Sequence, residues 1–364
     1  MYDLMVIGGG PGGSAAAITA ARGGARTLLV ERGRLPRHKV CGEFVSPEAL
    51  GLLSELLSEH EQGLLEQAIR IPRARIFLDD RMLEAPIERT ARSIARLDLD
   101  AALWQSAERA GVEAKQQTSA HAIQGSGPFV VRTSVGDFEA RAVVDASGRW
   151  SSLKPAGSNP GTSRAKWIGV KAHFSESFAS ESVDLYFFDG GYCGVQPVAL
   201  RAELDRRSIN VCAMVRADVA SRLEDIFALH PALYRRSHRW QPRMPPISVA
   251  PLVFAKPEAA RDRLLVVGDA AGFVDPFVGD GISLALRSGA LAARCLGPFF
   301  EEKIILHQAI DLYRRQYRRS LVPVFRSSAK LRHVLRMPRV ARKPLLVLVE
   351  SSPALARYLV RSTR

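Results

Sequence analysis

Tyr2–Asp3–Leu4–Met5–Val6–Ile7–Gly8–Gly9–Gly10–Pro11–Gly12–Gly13 decides the fold. Residues 3–7 are an apolar run of strand length, and Gly8 to Gly13 follow as a turn. Ser14 to Arg22 is alanine-rich and reads as a helix that Gly23–Gly24 ends; Thr27 to Val30 is a second strand. This β–α–β opening predicts a parallel sheet with a right-handed crossover. Gly8, Gly10 and Gly13 fit G-x-G-x-x-G between strand and helix. The first permits the tight turn, the second lets a pyrophosphate approach the backbone, and the third lets helix and strand pack closely. The pyrophosphate would sit on the helix N-terminus, where free N–H groups and the positive dipole end converge. Glu31, with Arg32 directly after it, ends the second strand. A carboxylate there accepts both ribose hydroxyls and repels a 2′-phosphate, so NADP suits this site poorly.

The chain around this motif has 364 residues, 47% hydrophobic and 24% charged, the composition of a globular protein. That length predicts two domains. Disordered, collagen-like and coiled-coil classes are excluded, and no repeat of 20–50 residues points to a solenoid or propeller. Apolar runs are short, Leu345 to Val349 among the longest, against about 20 residues for a membrane span. The first strand begins so near Met1 that no secretion leader is expected, and the expected location is the cytoplasm. Cys41, Cys193, Cys212 and Cys295 contain no Cys-x-x-Cys pair, which argues against a metal knuckle or a disulfide framework. The eight histidines show no His-x-x-x-His or His-x-x-Glu spacing, and no metal is predicted.

Helices are expected over 48–68, 99–111 and 282–297. Strand-like alternation covers 70–88, with short strands at 128–133, 137–145, 167–174, 183–188, 207–216 and 264–267. The strand-rich middle between α/β ends suits an α/β, Rossmann-like dinucleotide domain (1–70, 90–155 and 258–312) with an inserted antiparallel β-sheet substrate domain (71–89 and 156–257) and a basic helical tail (313–364).

A nicotinamide dehydrogenase needs only the first glycine motif. Here Val144–Asp145–Ala146–Ser147–Gly148 and the longer Leu264 to Gly289, LLVVGDAAGFVDPFVGDGISLALRSG, follow further apolar strands. Over about residues 2–300 the chain resembles FAD-dependent oxidoreductases of the geranylgeranyl reductase type, kin of the aromatic-ring flavin monooxygenases and flavin-dependent halogenases. The resemblance implies FAD as cofactor. It implies that Asp269 holds the ribityl chain and that Pro276, Gly279, Asp280, Gly281 and Ile282 wrap the flavin ring at a helix start. A helix N-terminus aimed at the ring would stabilise the negative charge of its reduced form. Arg96, in Arg-x-x-Leu-Asp-x-x-Leu, resembles the family arginine that reaches FAD from a helix start. His38–Lys39–Val40–Cys41–Gly42–Glu43 resembles the family turn Lys-x-Cys-Gly beside the flavin. Cys41 reads either as a flavin neighbour and candidate catalytic residue or as an ordinary buried thiol.

The family's aromatic segment, Tyr-x-Trp-x-Phe-Pro, corresponds to Gly191–Tyr192–Cys193–Gly194–Val195–Gln196–Pro197. Tyr192, the second candidate catalytic residue, and Pro197 match; the tryptophan and phenylalanine do not, and Gly194 leaves a gap where a ring stands in the family. Read without the family, the segment is a β-hairpin with a glycine bend. The resemblance implies C=C reduction of an apolar, lipid-like molecule. Hydroxylation of a phenol or polyketide with O2 is the alternative, and a halogenase or a non-enzymatic prenyl-protein escort are further readings. At the halogenase halide position this chain has Val278–Gly279–Asp280. No second G-x-G-x-x-G is present, so electrons would come from transiently bound NADPH or NADH or from an electron-donor protein.

The net charge is +14, and Arg314 to Arg364 holds 14 basic residues against Glu350 alone. Leu321, Val324, Phe325, Leu331, Val334 and Leu335 interleave with the basic residues, as on an amphipathic helix. The tail would pack on the cofactor domain as a solvated helix, or touch the anionic inner face of the membrane peripherally. No motif accompanies it that would bind nucleic acid.

Overall fold

A computed structural model describes residues 1–149, 166–177, 179–201, 207–254 and 256–335. The chain opens with β1 (Tyr2–Ile7), α1 (Pro11–Arg22) and β2 (Thr27–Val30), then β3 (Phe44–Val45), α2 (Pro47–Leu56) and α3 (Gly63–Gln67). A hairpin of β4 (Ile69–Leu78) and β5 (Arg81–Ser93) leads to α4 (Arg96–Arg109) and β6 (Glu113–Lys115), β7 (Ala120–Gly125), β8 (Phe129–Thr133) and β9 (Gly136–Asp145). The middle holds β10 (Trp167–Ser175), β11 (Ser182–Phe188), β12 (Gly191–Pro197), β13 (Ser208–Arg216), α5 (Leu223–Ala228), α6 (Pro231–Ser237), β14 (Gln241–Pro242) and β15 (Ile247–Leu252). β16 (Ala260–Arg261) and β17 (Leu264–Val266) precede α7 (Gly281–Phe300), α8 (Leu306–Ser320) and α9 (Val322–Leu335).

These strands form two sheets. In the first, β17, β9, β1, β2 and β6 run parallel in that order, with β7 and β8 as an antiparallel extension. β1 and β2 are buried along nearly their whole length, as a doubly covered parallel sheet requires. α1 packs between this sheet and α7. The second sheet has the order β14-β10-β13-β12-β11-β4-β5-β3, with β15 on β10. One of its faces packs on α5 and α6 through Val170, Ala172, Val195, Val211, Ala213, Ile226 and Leu233. By alternation, the other face turns toward the first sheet.

Several expectations need correction. The helix expected over 48–68 is broken: Ser58 is extended (φ −72°, ψ 160°) and gives its N–H to Ser106 Oγ on α4 at 2.9 Å, so the chain restarts as a single-turn helix and α3. The second sheet is not wholly antiparallel, because the β4–β5 hairpin joins it with β4 parallel to β11. β5 runs on to Ser93, past the expected limit at residue 89. Gly191 to Pro197 is one continuous strand; the turn precedes it at Gly190, whose φ is +93°. The tail boundary expected at 313 falls inside α8, whose Tyr313 hydroxyl, fully buried, donates to Val266 O at 2.9 Å. The tail from residue 336 onward and residues 150–165 of the expected domains lie outside the described residues.

Candidate functional site

The site begins at the turn between β1 and α1. Gly8 has a φ of +111°, and a Cβ on Gly13 would lie 1.8 Å from Gly8 O, so strand and helix touch through backbone alone. A Cβ on Gly10 would meet only Lys39 Nζ at 3.8 Å and an Arg96 nitrogen at 4.0 Å. Open backbone at a helix N-terminus, with two cations converging on it, is an anion cradle. Asp100, fully buried on α4, fixes both: it accepts from Arg96 at 2.8 and 2.9 Å and pairs with Lys39 at 2.7 Å. Burial alone would depress the Arg96 pKa, but the Asp100 charge holds it above its ordinary value.

Glu31 is buried at the end of β2. Its carboxylate accepts Gly9 N at 2.8 Å, Gly33 N at 3.0 Å and an Arg37 nitrogen at 2.8 Å. Burial favours its neutral form, yet the Lys39 charge, the two N–H donors and Arg37 keep its pKa below the usual value. Arg32, by contrast, is exposed at the cavity edge, and Arg37 is the cation on Glu31.

The segment after β17 forms the opposite wall. Asp269 sits in a short 3-10 turn, 3.4 Å from Arg149. Pro276 to Val278 form a second such turn, and Gly279 follows at φ +80°; a Cβ there would lie 2.7 Å from the Phe44 ring. α7 then starts at Gly281.

Between these walls lies a cavity of about 780 Å³. Gly8, Gly10, Glu31, Arg32, Cys41, Arg96, Tyr192, Asp269, Pro276, Gly279, Gly281 and Ile282 all line it. Two expected residues do not: Gly13 is packed behind the turn, and Asp280 is buried at the start of α7. Beyond the cradle the cavity is walled by Gly169, Met214, Val249, Leu252 and Phe273. The rings of Tyr192, Phe187 and Phe277 pack mutually, with centroids 5.6–5.8 Å apart. Burial pushes the Tyr192 phenol well above its ordinary pKa, and the Cys212 thiol up to about 12, so both face the cavity uncharged.

The cavity-facing side of the second sheet is laid out in cross-strand rows. Gly169, Met214 and Tyr192 form one row, Lys171, Cys212 and Gly194 the next, and His173, Asn210 and Gln196 the last. The gap expected at Gly194 is bordered by Leu185, 3.5 Å from where its Cβ would lie. The last row is polar and buried, and it grips the loop carrying Cys41. Asn210 Nδ2 donates to Cys41 O and Gly42 O at 3.1 and 2.8 Å. Glu43, at φ +60°, bonds Lys171 Nζ, His173 Nε2 at 2.8 Å and Arg96 N at 2.8 Å. Glu43, Lys171 and His173 were not singled out from sequence. The signal is present: Lys171 and His173 lie on one face of a strand whose other face, Ile168, Val170, Ala172 and Phe174, is wholly apolar.

The sequence model of the FAD binding domain family matches residues 1–304. The chain belongs to this family. It is an FAD-dependent oxidoreductase, and its cradle of glycines, paired cations and buried Glu31 fits the cofactor. It is 25% identical over 359 residues to conditioned medium factor receptor 1 of Dictyostelium discoideum, covering 86% of this chain and 66% of that protein. It is 27% identical over 321 residues to a menaquinone reductase of Mycobacterium tuberculosis (81% and 76% covered). It is 25% identical over 354 residues to a digeranylgeranylglycerophospholipid reductase of Methanocaldococcus jannaschii (92% and 87% covered). Among solved structures, a geranylgeranyl bacteriochlorophyll reductase-like protein of Thermoplasma acidophilum superposes with a TM-score of 0.80 at 21% identity, covering 100% of this chain and 95% of that one. The myxobacterial chondrochloren halogenase gives 0.75 at 19%, covering 99% and 92%. No group of three or more His, Cys, Asp or Glu residues suited to a metal occurs among the described residues.

Proposed function

We propose that this FAD-dependent oxidoreductase saturates a C=C bond in an apolar, lipid-like molecule. The observation that carries the reading is the continuity of one cavity from the charged cradle at Gly10 to the aromatic and aliphatic wall of Tyr192, Met214, Leu252 and Phe273. The two reductases among its relatives, whose names give an isoprenoid lipid and a quinone, support that substrate class.

FAD, when bound, supplies hydride transfer. The chain's own residues do the rest. Gly8, Gly10 and Gly13 shape the pyrophosphate cradle, Lys39 and Arg96 neutralise it, and Glu31 accepts the adenosine ribose. Asp269 takes the ribityl hydroxyls. Pro276, Gly279, Gly281 and Ile282 would wall the flavin ring, with Asp280 buried behind them at the start of α7, where the helix dipole favours negative charge. Cys41 and Tyr192 line the same cavity, where the apolar wall would exclude water from the reaction. Electrons come from NADPH or NADH bound transiently or from a donor protein. Peripheral contact of the basic tail with an anionic membrane goes with this reading, as do the domain limits read from sequence once β5 is carried to Ser93 and α8 is kept whole in the cofactor domain.

Oxygen-dependent hydroxylation of a phenolic substrate is the second reading. It is favoured by Gly194 and Gln196, which stand where the reductase-type aromatic segment has large rings. An anaerobic visible spectrum separates the donors: bleaching of the flavin bands by NADPH or NADH shows direct hydride uptake, and bands that persist call for a partner protein.

A further inference from the structure

The flavin cradle accounts for Lys39, Arg96 and Asp100 but not for the buried charges behind it. Lys171 and Glu43 are fully inaccessible and bonded to each other. His173, equally buried, adds Nε2 to the second Glu43 oxygen at 2.8 Å. The His38 ring stands edge-on to His173, centroids 5.3 Å apart, and lines the cavity. These groups stand side by side from the cavity to a buried ion pair: His38 and His173 are in ring contact, and His173, Glu43 and Lys171 are hydrogen-bonded. Along it, His38 Nδ1 and His173 Nδ1 are buried without a hydrogen-bond partner among the described residues. The neighbouring Asn210 and Gln196 each hold an unmatched buried oxygen, Oδ1 and Oε1. Buried polar atoms are ordinarily matched, and the two imidazoles each keep a ring nitrogen at which a proton can be held or released.

We infer that the His38–His173–Glu43–Lys171 line is a proton store coupled to the cofactor, in which His38 gains a proton when FAD is reduced. Two electrons and one proton enter the cofactor, leaving it negatively charged; a second proton from solvent forms a new N–H bond on the His38 imidazole. The oxidised state disfavours that proton. Burial, Lys171 and His173 lower the His38 pKa, with only Glu43 opposing them. Among the described residues, the charged and titratable groups acting on it are Lys171 and His173 from β10 and Glu43 from its own loop. A negative charge arriving in the same cavity reverses the balance. Saturating a C=C consumes one hydride and one proton, and His38 is placed to return the proton: its N–H bond breaks as a C–H bond forms. The store depends on FAD binding and not on which substrate the site takes.

The test is the midpoint potential of the bound FAD against pH, in the intact flavoprotein, with dithionite as reductant. A two-electron couple shifts by about 30 mV per pH unit for each proton taken up. The wild type is expected to show a two-proton slope, about 60 mV per pH unit, between the His38 pKa values of the oxidised and reduced states, and a one-proton slope outside that window. His38→Gln is expected to show the one-proton slope throughout. A one-proton slope in the wild type, or a two-proton slope that survives in His38→Gln, overturns the inference. Should His38→Gln lose FAD, NMR titration of the wild-type imidazoles in both redox states decides, with His173→Gln fixing the assignment. A His38 midpoint that fails to rise on reduction overturns it equally.

Discussion

Lys171 on β10 and Glu43 on the loop before β3 form an ion pair in which neither side chain reaches solvent. Breaking a buried pair from one side leaves an uncompensated charge, which costs about 3–5 kcal/mol. Lys171→Met is therefore expected to lower unfolding free energy by about that amount, and Glu43→Gln added to it to recover part of the loss. Denaturant titration of the single and double variants checks this; equal stability of wild type and Lys171→Met contradicts it.

The same pair sets an acid limit. Burial raises the Glu43 pKa, but Lys171 and His173 outweigh it and hold the value at about 2, against an ordinary 4.5. The carboxylate's stabilisation is thus fully present above the ordinary value and is lost as pH falls from there toward about 2. Stability measured through that window is expected to fall less steeply in Glu43→Gln than in the wild type. Parallel slopes refute the assignment.

Two glycines of one motif should fail in different ways. A Cβ on Gly13 would overlap Gly8 O at 1.8 Å, whereas one on Gly10 meets nothing closer than 3.8 Å. Gly13→Ala should therefore yield little folded protein. Gly10→Ala should fold, with normal circular dichroism, and purify with little FAD because the methyl group fills the pyrophosphate's place. FAD content equal to wild type in Gly10→Ala speaks against the cradle.

Glu31 holds Gly9, Gly33 and Arg37 through its carboxylate. Hydrogen bonds to a charged group contribute about 1.5–3 kcal/mol each. Glu31→Ala should weaken FAD at least tenfold in a fluorescence-quenching titration, and Glu31→Gln less, because it keeps an acceptor for Gly9.

What the sequence disclosed follows from how local each signal is. The β1–turn–α1 unit was legible because a glycine triad between an apolar run and an alanine-rich helix admits few other structures. The segment from Asp269 to Ile282 was legible through its resemblance to a contiguous family motif, and its two short turns and the α7 start line one cavity wall. Arg37 was not, because only the fold of the 32–37 loop brings it rather than Arg32 to Glu31. The Glu43–Lys171–His173 cluster was harder still. It joins positions about 130 residues apart, and each partner alone reads as an ordinary surface charge. The parallel β4–β11 pairing left no trace in periodicity, since alternation reports a strand and not its direction.

The basic tail gives a prediction of its own. α8 buries Ile310, Tyr313 and Tyr317 and leaves Arg314, Arg315, Arg318 and Arg319 exposed. No helix among the described residues is long and apolar enough to cross a membrane. The protein should sediment with phosphatidylserine vesicles at low salt and release at high salt, at about 1 kcal/mol per basic residue near the surface. Absence of sedimentation at low salt contradicts the membrane contact.

Anaerobic turnover decides between C=C saturation and hydroxylation. The flavoprotein is reduced with dithionite, mixed without oxygen with a geranylgeranyl lipid and, separately, with menaquinone, and the products are analysed by mass spectrometry. For a C=C reductase the flavin bands return and one of these molecules gains two hydrogens at a C=C bond. Flavin that stays reduced with both, and reoxidises only when oxygen and a phenolic substrate are added with gain of one oxygen atom in the product, contradicts C=C saturation and establishes the hydroxylase reading.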